Sequence, residues 1–203
     1  QPPVFFEFKM AVRRTGRKVV KNPLKLIEGR YRIDFDDLEL KASDPNNRIL
    51  ILCNPHNPVG RVWTAGELEQ VAEICARHDV FVIADEIHGD FAFPPHHYTP
   101  YLSVAGPLTR NGAACLSPAK TFNISGMVDA VTIIPDETSR HQFRTFADRY
   151  QINQVNVFAS VATEAAYREG AEWLDALLGY IQENVDEVGA YLAAPEGHKI
   201  GRA

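Results

Sequence analysis

Arg48-Ile49-Leu50-Ile51-Leu52-Cys53-Asn54-Pro55-His56-Asn57-Pro58-Val59-Gly60 joins a short apolar run to a loop of asparagine, proline and glycine. A continuous apolar run closed by turn residues is the pattern of a strand covered on both faces, as in a parallel sheet. Toward the C-terminus, Thr64 stands three positions before Glu67, the spacing of a helix capping box. Leu68, Val71, Ala72 and Cys75 then recur at helical spacing. Val80-Phe81-Val82-Ile83-Ala84 is a second apolar run, stopped by Asp85-Glu86. Strand, capped helix and strand within about forty residues form a βαβ unit. Apolar runs around Ala113 to Leu116 and Val128 to Ile134 continue the alternation. The whole stretch therefore predicts an α/β domain with a mainly parallel sheet.

The last third reads as helical. Thr138 to Tyr150 and Val155 to Arg168 accept helical patterning. In Glu172 to Leu192 the residues Leu174, Leu177, Leu178, Ile181, Val185, Val188 and Leu192 make one apolar stripe. About twenty helical residues span about 30 Å, enough to bridge two domains. The expected division is a domain over residues 1–170 and a long connecting helix over 171–203 that leads into a further domain.

The chain has 203 residues, 45% hydrophobic and 23% charged, which suits one globular domain with a full core. A net charge of −5 gives no electrostatic reason to expect nucleic acid, and no apolar run is long enough for a membrane span. The start, Gln1-Pro2-Pro3-Val4, has neither a signal-peptide pattern nor an initiator Met. The three cysteines Cys53, Cys75 and Cys115 lack CxxC spacing, so reduced thiols and a cytoplasmic location are expected.

Polar clusters follow the apolar runs: Asn54 with Asn57, Asp85 with His88, then Ser117 and Lys120. In an open α/β sheet, ligands gather at the carboxyl ends of strands. Each residue alone has an ordinary explanation. Asp after a strand is often a cap or turn former, Asn and Pro are loop chemistry, and a lone Lys is usually a solvated charge. The ordered set carries the argument. Asp85-Glu86-Ile87-His88 also matches a helicase DExH box, but no GxxxxGK[ST] loop precedes it. A zinc site built from Asp85, His88, His96 and His97 fits no common ligand spacing, so no metal is expected.

The ordered set resembles the class I/II aminotransferase superfamily, the fold-type-I enzymes that use pyridoxal 5'-phosphate (PLP). Asn54-Pro55-His56-Asn57-Pro58-Val59-Gly60 is similar to the superfamily's NPxNPTG loop, with Val59 for Thr. Asp85-Glu86-Ile87-His88 resembles its D-x-x-Y segment with His for Tyr, and Ser117-Pro118-Ala119-Lys120 its S-x-x-K segment. His88, Ser117-Pro118-Ala119-Lys120-Thr121-Phe122-Asn123 and Trp63-Thr64 with Glu67-Leu68 resemble one subgroup most, the MalY/PatB-type cystathionine β-lyases. The likeness runs from about Pro3 to Ala194.

The resemblance implies a three-layer α/β/α large domain with a mostly parallel sheet, incomplete at both ends. It implies that Lys120 binds the PLP aldehyde as an imine and acts as the catalytic base. Asp85 would pair with the pyridine nitrogen, and Asn57 would donate to the phenolic oxygen with His88 nearby. Ser117 would donate to the phosphate, and Phe5 would cover the ring, although packing beside Phe6 and Phe8 is an equal reading of Phe5. Val128 stands where many aminotransferases carry a phosphate-binding Arg, a gap that the lyase subgroup shares. The implied activity is carbon–sulfur β-elimination from an amino acid, with transamination or a truncated, non-catalytic PLP-binding fragment as the alternatives. The implied parent is a homodimer, with the phosphate loop expected upstream of residue 1 and the substrate-carboxylate Arg expected downstream of residue 203.

Overall fold

The computed structural model describes residues 1–104, 106–154 and 156–193. Helix α1 (Glu7–Arg14), the antiparallel hairpin of β1 (Lys25–Ile27) and β2 (Arg30–Arg32), and helix α2 (Phe35–Ala42) come first. The central unit follows: β3 (Ile49–Cys53), α3 (Ala65–Arg77), β4 (Phe81–Asp85), β5 (Gly112–Leu116), the one-turn helix α4 (Pro118–Thr121) and β6 (Val131–Ile133). Helices α5 (Glu137–Tyr150), α6 (Val157–Glu169) and α7 (Ala171–Ala193) complete the described chain.

The expected βαβ unit is β3–α3–β4. The sheet order is β3-β4-β5-β6, with the first three strands parallel and β6 antiparallel at the edge. Thr64 caps α3 as its spacing predicts: its side chain accepts from Glu67 N–H, while the Glu67 carboxylate accepts from Thr64 N–H at 2.8 Å. Leu68, Val71, Ala72 and Cys75, the stripe expected to face the core, are all buried. They pack in one cluster with Leu52, Val82 and Ala84 from the sheet.

Strand alternation decides what each face carries. In β4, Val82 and Ala84 are buried toward α3, whereas Phe81, Ile83 and Asp85 on the other face are half-buried. Register places Cys53 and Cys115 beside Asp85 on that second face. Helix α1 stands across the same face, separated from Ile51 and Ile83 by a groove of about 770 Å³ that Phe8 and Val12 also line. The apolar runs that suggest two covered faces are thus packed tightly on one and loosely on the other.

The helical last third is present with small shifts. The stretch expected from Val155 starts at Val157, with Asn156 as its N-cap, and Val155 itself lies outside the described residues. Helix α7 has 23 residues, about 35 Å of helix. Its stripe is half-buried at Leu174, Leu177, Leu178 and Ile181, while Val185, Val188 and Leu192 are exposed. Residues 194–203, the end of the expected connecting segment, lie outside the described residues.

Candidate active site

The site forms where β3, β4 and β5 end, because parallel strands point their carboxyl ends to one side of the sheet. Asn54 N–H donates to the Asp85 carbonyl and Glu86 N–H to the Cys115 carbonyl, both at 2.9 Å, so the pairing continues just past the strands. These bonds hold the three motif-bearing loops side by side.

The Asn57 loop is folded around Cys53. Its Sγ accepts from Asn57 N–H at 3.4 Å and its thiol donates to the Pro55 carbonyl at 3.3 Å. Burial pushes the Cys53 thiol up to about 11, so it keeps the hydrogen it donates. Trp63, fully buried, donates its indole N–H to the Cys53 carbonyl at 2.8 Å. Phe5 joins this loop through its N–H, which donates to the Asn57 carbonyl at 3.1 Å. The Phe5 ring lies 5.3 Å from Phe6 and 5.8 Å from Phe8, centroid to centroid, and remains 40% exposed.

His56 is the buried pin of the same loop. It is 1% exposed, its Nε2 pairs with the Pro3 carbonyl at 3.0 Å, and its ring meets Trp63 edge-on at 5.5 Å. Burial brings its pKa down to about 4, against about 6.5 in an unfolded chain. Between those values the unfolded state binds more protons, so stability must fall as pH drops through that window. At about 1.4 kcal/mol per pH unit the loss reaches roughly 3 kcal/mol by pH 4. Unfolding free energies of the chain and of His56→Asn, compared from pH 7 to pH 4, should converge toward acid. A constant difference would refute the buried neutral His56.

Asp85 ends β4. Its Oδ1 accepts from Ile87 N–H at 3.3 Å, and burial raises its pKa from the ordinary Asp value, with the Ile87 hydrogen bond and His88 opposing. His88 is half-buried. Its pKa is lowered by burial, raised by Asp85 and lowered by Lys120, which sets all three in one electrostatic neighbourhood. Lys120 lies in α4 and is exposed. Ser117 is 9% exposed and caps α4, accepting from Ala119 N–H at 3.1 Å. Its hydroxyl donates to the Asp129 carbonyl at 2.6 Å.

Strand register thus brings the segments that carry Asp85 with His88, Lys120 and Asn57 to one edge of the sheet, with the segment of Phe5 bonded to the Asn57 loop. The ring requirements of PLP fit this set. They comprise an amine, a half-buried carboxylate at a strand end, amide and imidazole donors, and an exposed aromatic. The phosphate requirement is met less well, since Ser117 already spends its hydroxyl hydrogen. No group of three or more His, Cys, Asp or Glu suited to a metal occurs among the described residues. No described helix is long and apolar enough to cross a membrane.

Glu86 is a residue the motif reading passed over. It is 2% exposed and accepts from Asn54 Nδ2 at 3.0 Å and Tyr101 N–H at 2.7 Å, tying two site loops to a third segment. Period-two alternation was the available signal: of the adjacent acids Asp85 and Glu86, one must face the site and the other the core.

Comparisons with known proteins place the chain. Cystathionine β-lyase PatB of Bacillus subtilis is 43% identical over 193 residues, 95% of this chain and 50% of that protein. Cystalysin from Treponema denticola, whose crystal structure contains PLP, superposes with a TM-score of 0.93 at 33% identity, covering 96% of this chain and 50% of that one. The PLP-bound putative aminotransferase of Clostridium difficile 630 gives a TM-score of 0.91 at 39% identity, covering 95% and 49%. The chain spans about half the length of the curated relatives it matches. The pattern of the family "Aminotransferase class I and II" matches residues 1–201, and the chain belongs to that family.

Proposed function

We propose that this chain forms the PLP-binding part of a carbon–sulfur β-lyase that converts an amino-acid thioether and water to pyruvate, ammonia and a thiol. The observation that carries the proposal is the parallel register of β3, β4 and β5, which brings the segments bearing Asn57, Asp85 with His88, and Ser117 with Lys120 to one edge of the sheet. The likeness to PatB supports lyase chemistry.

When bound, PLP supplies an electron-withdrawing ring that takes up negative charge from the substrate Cα. The remaining work belongs to the chain. Lys120 Nζ would hold the cofactor aldehyde and, as a free amine, would take the substrate Cα proton as general base. Asp85 would keep the pyridine nitrogen protonated by opposite charge. Asn57 would donate to the phenolic oxygen, with His88 near it, and Phe5 would cover the ring. Ser117 would serve the phosphate only by turning its hydroxyl hydrogen away from the Asp129 carbonyl.

The whole protein is proposed to be a cytoplasmic homodimer in which residues 1–170 form the large domain and 171–203 lead into a smaller one. Exposed Phe146, Val157, Phe158 and Val161 support a further covering surface. Transamination is the second reading, favoured by relatives such as the kynurenine–oxoglutarate transaminase 3 of rat, 30% identical over 75% of this chain. Incubating the natural polypeptide that carries this sequence with PLP and cystathionine should release pyruvate and thiol in equal amounts. Amino transfer to an added 2-oxo acid without thiol release would replace the lyase by the transaminase.

A further inference from the structure

We infer that Thr121 and Asp90 are a positioning pair that sets the lysine-bearing turn against the end of β4. The inference rests on the reading of Lys120 as the cofactor-binding amine. Helix α4 has only four residues, too few to be stable by itself. Lys120 is exposed, so little packs against its stem, and its direction follows that of the turn. One side of that turn adjoins a cavity of about 270 Å³ lined by Asp90, Tyr98, Ser117, Pro118 and Tyr167. Close packing therefore does not hold the turn on that side.

A hydrogen bond spans the gap. Thr121, adjacent to Lys120 and fully buried, donates Oγ1–H to Asp90 Oδ2 at 2.7 Å across 31 positions of sequence. Asp90 is itself anchored to β4. It lies in the 3₁₀ turn Gly89–Phe91, where Gly89 N–H donates to the Glu86 carbonyl at 3.0 Å and Phe91 N–H to the His88 carbonyl at 2.9 Å. The lysine turn is thus bonded to the short segment that carries His88 and follows Asp85. Further contacts of the lysine turn run to the segments that follow it: Ser125 Oγ–H donates to the Ala119 carbonyl at 3.2 Å, Ile124 N–H to the same carbonyl at 3.0 Å, and the Phe122 ring lies 5.7 Å from Tyr167 and 5.8 Å from Trp173. They do not reach β4. Removing the Thr121 hydroxyl leaves the lysine chemically intact but free to swing relative to Asp85 and His88.

The test follows cofactor capture rather than turnover. PLP is added to the cofactor-free natural polypeptide, formation of the lysine–cofactor absorbance is timed, and borohydride trapping locates it. Thr121→Val, isosteric but without the hydroxyl, should slow capture by about tenfold, the scale of one lost hydrogen bond to a charged acceptor. Thr121→Ser keeps the hydroxyl and should restore most of the rate. Asp90→Ala breaks the same bond from its other end, so the double variant should be no slower than either single one. Thermal unfolding of the cofactor-free variants separates this effect from general destabilisation, and Asp90→Ala decides if Thr121→Val fails to fold. Capture by Thr121→Val at the unmodified rate, or additive losses in the double variant, would overturn the pair. Trapping at a residue other than Lys120 in the unmodified protein would overturn the Lys120 reading and the pair with it.

Discussion

Lys120→Arg should abolish turnover, with a loss of at least about 10⁴-fold, because both proposed roles of the amine disappear together. Arginine keeps the positive charge, so long-range electrostatics around Asp85 and His88 barely change. Its guanidinium cannot form an imine with an aldehyde and stays protonated at every accessible pH, so it can serve neither as anchor nor as base. The exposure of Lys120 makes the test clean, since no buried packing is disturbed. Borohydride reduction of the PLP-treated protein should label a peptide containing Lys120 in the parent and none in the variant. The thermal midpoint of the cofactor-free protein should hardly move. Residual turnover within tenfold of the parent would remove Lys120 from the centre of the mechanism.

Asp85→Asn should have two effects of opposite sign. Turnover should fall by on the order of 10³-fold or more, because a neutral amide cannot hold the pyridine nitrogen protonated and the ring loses its capacity for charge. Stability of the cofactor-free protein should rise at neutral pH. Burial raises the Asp85 pKa in the folded state, so the folded protein binds more protons than the unfolded one between the two pKa values. Stability therefore declines as pH rises from about 3.9 through the folded pKa, and the whole cost is present above that folded pKa. Asparagine removes that cost. PLP binding should reverse the order of stability, since the pyridinium neutralises the Asp85 carboxylate and meets only an uncharged amide in the variant. Calorimetry with and without PLP, together with pyruvate release, reads both effects and the reversal on binding. A variant less stable than the parent without cofactor would show that Asp85 serves the fold rather than the site.

The β3–α3–β4 unit was legible in the sequence because its signals are local. A capping box at Thr64 and Glu67, an apolar stripe at helical spacing and two apolar runs ended by turn residues depend on neighbours a few positions apart. The order of the three motifs likewise marked Asn57, Asp85, His88 and Lys120 as candidates without coordinates. Other features were decided by tertiary structure alone. Ser117 spends its hydroxyl hydrogen on Asp129, twelve positions away, and Glu86 reaches Asn54 across 32. Thr121 meets Asp90 across 31. Whether such side chains meet is set by strand register and by how each crossover returns the chain to the sheet. Local propensities fix which elements form, but a hydrogen bond between distant residues exists only once the packed sheet has brought their loops to the same edge.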